Sequence, residues 1–133
     1  MRKLARESAF KIIYKSLFLN GNLEAEEILE EDNITEQEDV QFVGDIVSLY
    51  GANISQINKK IKDKSNGFSF ERIYKIDLAI LSEAIAEILY YKKTPYKVVI
   101  NEAVEMAKKY STEKSYSFVN GILKSIVEEE NVV

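Results

Sequence analysis

Ile73-Tyr-Lys-Ile-Asp-Leu-Ala-Ile-Leu-Ser-Glu-Ala-Ile-Ala-Glu-Ile-Leu89 carries an apolar residue at nearly every third or fourth position. Ile73, Ile76, Ile80, Leu81, Ala84, Ile85, Ile88 and Leu89 fall on one broad stripe at helical period. A stripe this rich needs cover from several sides. The spacing predicts a helix over about 70–91, with Ser69 as its cap and a place at the centre of the fold.

Helical period extends from that centre in both directions. Residues 2–19 read as a helix with Ala5, Ala9, Ile12, Ile13, Ser16 and Leu17 on one arc, ended by Asn20-Gly21-Asn22. A short acidic helix follows over about 23–31. Thr35 with Glu38 forms the sequence pattern of a capping box. The helix it predicts carries Val40, Phe42, Val43, Ile46, Val47 and Tyr50, and Gly51 is the expected bend or divide. The period resumes at Ile54, Ile57 and Ile61 and closes at Ser65-Asn66-Gly67. Thr94-Pro95 opens a helix with Val98, Val99, Ala103, Met106, Ala107 and Tyr110 on its core face. Ser111 or Thr112 caps the last helix, about 113–129, with Phe118, Val119, Ile122, Leu123 and Ile126 inward.

The expected fold is all-α, a compact single-domain bundle of six or seven helices over 1–133, with about 128–133 as a frayed acidic tail. Composition agrees. The 133 residues are 46% hydrophobic and include one proline and five glycines, too few turn residues for a sandwich or barrel. The longest apolar runs fall far short of a membrane span, so a cytoplasmic location and no membrane partner are expected. Cysteine and histidine are both absent. Thiol and imidazole catalysis and the usual zinc sites are therefore excluded. No glycine-rich phosphate loop and no distinctive carboxylate pair occurs, so neither an enzyme nor a cofactor is expected.

The net charge of −4 conceals segregation. Residues 1–19 carry Arg2, Lys3, Arg6, Lys11 and Lys15 against Glu7 alone. Residues 24–39 hold nine acids and no base, and read as a solvated face. Lysines recur at 59–64 and 92–116. Separate basic segments that meet in space would suit an anionic partner, nucleic acid first. Arg2, Lys3 and Arg6 lie near Tyr14. Lys114 precedes Tyr116 and Phe118. Cations beside aromatics can hold phosphates and stack on splayed bases, although Tyr14 and Phe118 equally fit positions at the edge of the core.

Pro95-Tyr-Lys-Val-Val-Ile-Asn-Glu-Ala-Val-Glu-Met-Ala-Lys-Lys-Tyr110, followed by Phe118-Val-Asn-Gly-Ile-Leu123, closely resembles the signature of the NusB family of transcription antitermination factors. Ala5-Arg-Glu-Ser-Ala9 with Ile13-Tyr14 resembles that family's opening helix, and Ile76-Asp-Leu-Ala-Ile-Leu81 its central one. The resemblance runs in order along nearly the whole chain. It implies an all-α, non-catalytic protein that binds boxA RNA together with NusE, a small-subunit ribosomal protein. That assembly acts on RNA polymerase and suppresses termination, notably in ribosomal RNA operons. By the resemblance, Arg2, Lys3, Arg6, Tyr14 and Phe118 are the RNA-binding candidates, Lys114 joins them through its own positive charge, and Glu71 and Asp77 face basic NusE from a separate face. The chain departs from the family pattern in its shorter basic start, in Ser82-Glu83 where an arginine usually follows the Ile-Leu pair, in Ser117 where a base often stands, and in Lys114 where an acid is common. Asn101 and Asn120 of the signature are expected to satisfy polar groups between the last two helices, and Gly121 to let those helices approach. A NusB-like RNA-binding module of the kind fused to RNA methyltransferases and a protein-only scaffold in ribosomal RNA maturation stay open, as does a homodimer.

Overall fold

The computed structural model describes residues 1–18, 25–67 and 69–132. Seven α-helices follow in order: α1 (Arg2–Ser16), α2 (Ala25–Glu31), α3 (Gln37–Ala52), α4 (Ile54–Lys64), α5 (Lys75–Ile85), α6 (Tyr96–Tyr110) and α7 (Ser115–Glu129). The described residues contain no strand. A 3₁₀ turn, Phe70–Arg72, precedes α5, and a π-helical segment, Ala86–Tyr91, prolongs it.

The helix α5 is the centre, as its stripe requires. It packs on α1, α3, α4, α6 and α7. Ala79, Ile80, Leu81, Ala84 and Ile85 have no exposed surface. Burying one such leucine or isoleucine stabilises the fold by about 1.5–3 kcal/mol. Buried residues from all seven helices join a single apolar cluster. Arg6 meets Glu87 and Phe18 meets Lys75, so α1 and α5 run antiparallel.

Several boundaries differ from the sequence reading, for local reasons. The predicted 70–91 helix is interrupted at Ile73 and Tyr74, both extended, and the Ser69 hydroxyl donates to the Glu71 carboxylate instead of capping a helix. The capping box at Thr35 does not form; α3 begins at Gln37 after an extended Glu36. The divide between α3 and α4 is Asn53, not Gly51. The Asn53 carboxamide donates to the Leu49 carbonyl at 2.8 Å, drawing the backbone out of the helix. Neither Ser111 nor Thr112 caps a helix from 113, because α7 starts at Ser115. Val40 and Val98, expected inside, are exposed. The predicted stop at Asn20-Gly21-Asn22 lies outside the described residues. The close at Ser65-Asn66-Gly67 stands, with Asn66 and Gly67 both at positive φ.

The acidic segment is largely a solvated face, with Glu26, Glu27, Glu30, Glu31, Glu36 and Glu38 exposed, but Asp32 and Asp39 are drawn into contacts with α1. Asp32 accepts from Ser8 at 2.7 Å and Lys11 at 3.0 Å, and Glu27 lies 3.8 Å from Lys15, pinning α2 to α1. Asp39 binds the N-terminal ammonium and lies 3.3 Å from Arg2. Two of the C-terminal acids reach α4. Glu129 pairs with Lys64 at 3.0 Å and Glu130 with Lys60 at 3.1 Å, and the Val132 amide bonds the Val127 carbonyl.

Candidate nucleic-acid interface

Phe10 and Tyr14 on α1 and Phe18 in the turn that follows it stand four residues apart and so stack along one side. Ring centroids are 6.3 Å apart for Phe10–Tyr14 and 5.1 Å for Tyr14–Phe18. Tyr110 at the end of α6 closes on Phe10 at 5.2 Å. The ladder climbs out of the core: Phe10 is buried, Tyr14 half-buried, and Phe18 is 55% exposed. Cations flank it. Lys109 sits 5.1 Å from the Tyr110 ring centroid and Lys75 lies 5.8 Å from that of Phe18. The Tyr110 hydroxyl and Lys109 both bond the Glu7 carboxylate, at 2.5 and 2.9 Å. Burial pushes Glu7 up, but these two donors outweigh it and hold its pKa below the ordinary value.

A groove of about 380 Å³ opens beyond Lys75, lined by Arg72, Ile73, Tyr74, Asp77, Lys114 and Phe118 among others. It brings together residues expected on two separate faces. Lys114 and Phe118 were expected to meet RNA and Asp77 a protein partner, yet all three border one groove. Asp77 is not a surface acid at all. It is 3% exposed, and its two oxygens accept from Ser111 at 2.6 Å and Ser115 at 2.9 Å. It ties α5 to the turn between α6 and α7. Glu71 is exposed on the 3₁₀ turn rather than on the central helix; its bond from Ser69 holds its pKa below the usual carboxylate range.

The basic start of α1 divides as well. Lys3 is exposed, and among the described residues no carboxylate pairs with it. The Arg2 guanidinium lies 4.3 Å from the Phe42 ring centroid, beside Asp39. Arg6 is turned inward: its side chain is 7% exposed and it donates two 2.8 Å bonds to both oxygens of Glu87. Burial opposes its charge, but the bonds and charge of Glu87 prevail and raise its pKa further. The exposed cation expected at this position is thus a buried structural one. Sequence reasoning also missed Phe18, Lys75 and Tyr110. The four-residue spacing of Phe10, Tyr14 and Phe18 was a readable signal; the approach of Lys75 and Tyr110 depends on tertiary packing.

Glu83, one turn before Glu87, has no exposed surface, and neither of its oxygens meets a partner among the described residues. Burial, then the negative charge of Glu87, pushes its carboxyl well above the usual range. A proton on Glu83 relieves that repulsion. A raised folded-state pKa gives stability that is full below the unfolded-state value, about 4.3, and is lost as pH rises toward the folded-state value. Glu83→Gln keeps the shape and removes this loss. Urea midpoints should therefore show the variant gaining on the native chain between pH 5 and pH 8. An equal gap at both pH values would mean that Glu83 does not titrate in this way.

Solved structures place the whole arrangement. T. maritima NusB superposes with a TM-score of 0.86 at 32% identity, covering 97% of this chain and 92% of that one. A structure of the antitermination factors NusB and NusE in complex with double-stranded RNA gives 0.86 at 29% identity over 96% of each chain. The fold therefore falls in the class of NusB-like all-helical proteins. The transcription antitermination protein NusB of Finegoldia magna is 42% identical over 132 residues, 97% of this chain and 95% of that one. The NusB family model matches residues 3–128, and this chain belongs to that family, whose members are non-enzymatic transcription antitermination factors. No helix among the described residues is long and apolar enough to cross a membrane.

Proposed function

We propose that this antitermination factor binds single-stranded, boxA-type RNA together with NusE in the cytoplasm, and that the complex lets RNA polymerase pass terminators, notably in ribosomal RNA operons. The observation that carries the reading is the emergence of the ladder Phe10–Tyr14–Phe18 beside Lys75, next to the groove holding Phe118 and Lys114. Exposed rings among cations suit unpaired bases, which offer π faces and phosphates together. Bases within an A-form duplex stay stacked and show only their edges. The solved relative with NusE and double-stranded RNA supports an RNA partner of this general kind. NusE, a basic protein by the family resemblance, would meet exposed Glu71.

The test is an anisotropy titration of boxA-type RNA, single-stranded and duplex, with and without NusE. Tyr14→Ala is expected to lose about 1–3 kcal/mol of stacking on the single strand, with the salt slope unchanged. Lys3→Ala should instead lower the log–log salt slope by about 0.7. If Tyr14→Ala lowers only the melting temperature and the folded fraction binds as before, the ring is core and the stacking assignment fails.

A further inference from the structure

Asn101 and Asn120 belong to the most distinctive motifs of the sequence, yet the fold does not use them. They were expected to satisfy polar groups between α6 and α7. Among the described residues neither carboxamide makes a hydrogen bond; Asn101 is exposed and Asn120 half-buried. They line an open groove of about 490 Å³ between the two helices. Lys97, one turn before Asn101, and Lys124, one turn after Asn120, line it too, with the Tyr96 ring at its end. Gly121 does not serve close helix approach either: a Cβ there would meet nothing within 4 Å.

The charge of this surface is uncommitted. On α1, Arg2, Arg6, Lys11 and Lys15 all approach carboxylates of the same chain. Lys97 and Lys124 are exposed, and no carboxylate among the described residues pairs with them. The same holds for Lys92 and Lys93 in the loop leading to α6, where Lys93 lies 5.2 Å from the Tyr91 ring centroid. An anion bound here breaks no internal pair. The loop also adjoins the start of α1, because Phe42 touches both the Tyr91 ring, at 5.3 Å, and Arg2.

We propose that the α6–α7 groove, with Lys97, Asn101, Asn120 and Lys124, is a second contact track for single-stranded RNA, taking nucleotides that flank the segment held at Tyr14 and Phe118. The proposal rests on the RNA-binding reading above and extends it. Ammonium groups hold phosphates as point charges. Carboxamides can both donate to and accept from base edges, and Tyr96 offers a ring. An acidic protein is the poorer fit, since interfaces of that kind anchor apolar side chains in pockets. Here the apolar lining, Ile100 and Val127, is already buried, at 5% and 2% exposure. Glu128 also lines the groove, one carboxylate against its two lysines.

The probes are a minimal boxA-type RNA, the same RNA extended at either end with unstructured uridines, oligouridine alone, and polyglutamate. Extension is expected to tighten binding to the native chain and steepen its salt dependence. Lys97→Ala with Lys124→Ala should remove about 1.4 of that slope on the extended RNA and leave the minimal RNA unaffected. Asn101→Ala with Asn120→Ala should weaken the extended RNA several-fold at constant slope. Circular dichroism verifies that both surface variants fold. The proposal is overturned if extension adds nothing, if the variants bind the extended RNA like the native chain, or if polyglutamate competes as well as oligouridine. Failure of the minimal RNA to bind the native chain would sink the boxA reading instead. Oligouridine alone would then decide the groove, by whether its binding needs Lys97 and Lys124.

Discussion

Arg6→Ala is expected to lower stability by about 3–5 kcal/mol, the usual consequence of removing one partner from a buried, hydrogen-bonded ion pair. Glu87 has no exposed surface, and Arg6 serves both of its oxygens at 2.8 Å. Without the guanidinium, a carboxylate is left in the core beside Glu83. At this chain length the loss corresponds to a fall of roughly 10–20 °C in melting temperature. The deficit should shrink in acid. In the native chain burial pushes Glu87 up, but the two bonds and the charge of Arg6 hold its pKa below the ordinary value. Its contribution is therefore present above the unfolded-state pKa and lost as pH falls through the folded one. In the variant Glu87 can simply protonate. Arg6→Lys should recover only part of the loss, because an ammonium is a point charge and cannot bridge both oxygens as the planar fork does. Urea unfolding of the three proteins at pH 7, pH 5 and about pH 3 measures all of this. An unchanged melting curve, with a shallower salt slope for RNA, would return Arg6 to the surface role suggested by sequence.

The contrast between Arg6 and Lys3 shows what the sequence disclosed and what it did not. Period along one chain is local, so the central helix, the core faces of α1 and α7 and the all-helical class were legible from residues such as Ile80, Ile85, Ile122 and Ile126. The partner of a charge is a tertiary fact. Arg6 and Glu87 are 81 positions apart, and Ser111 and Asp77 are 34 apart. No window on the sequence joins them. A basic run therefore looked uniform where folding turns one cation inward and leaves another out. The acids of 24–39 looked idle for the same reason; three of them, Glu27, Asp32 and Asp39, are spent on α1. The aromatic ladder lay between these cases. Its spacing was visible in Phe10, Tyr14 and Phe18, but only packing shows that its far end remains uncovered.

Asp77→Ala is expected to cost about 2–4 kcal/mol, because the hydroxyls of Ser111 and Ser115 lose a charged acceptor in a part-buried turn and each such bond is worth about 1.5–3 kcal/mol. The loss should be local before it is global. Asp77 joins α5 to the turn that starts α7, and Ser115 also bonds Ser111 at 2.9 Å and Thr112 at 2.8 Å. With the acceptor gone, hydrogen exchange should quicken first over 111–118, at the wall of the groove that Lys114 and Phe118 line. RNA and protein ligands that use this groove should then weaken together. Glu71→Lys provides the contrast. Glu71 is exposed and its side chain accepts a local bond from Ser69, so reversal should leave the melting temperature within a degree or two. It should repel a basic partner docked there while sparing RNA binding by the isolated chain. Asp77→Asn distinguishes charge from geometry, since one amide oxygen still accepts from one serine. It should fall between the native chain and Asp77→Ala in both stability and exchange rate. If Asp77→Ala instead melts like the native chain and loses only the protein partner, the serine bonds hold nothing together, and the acid is a docking residue after all.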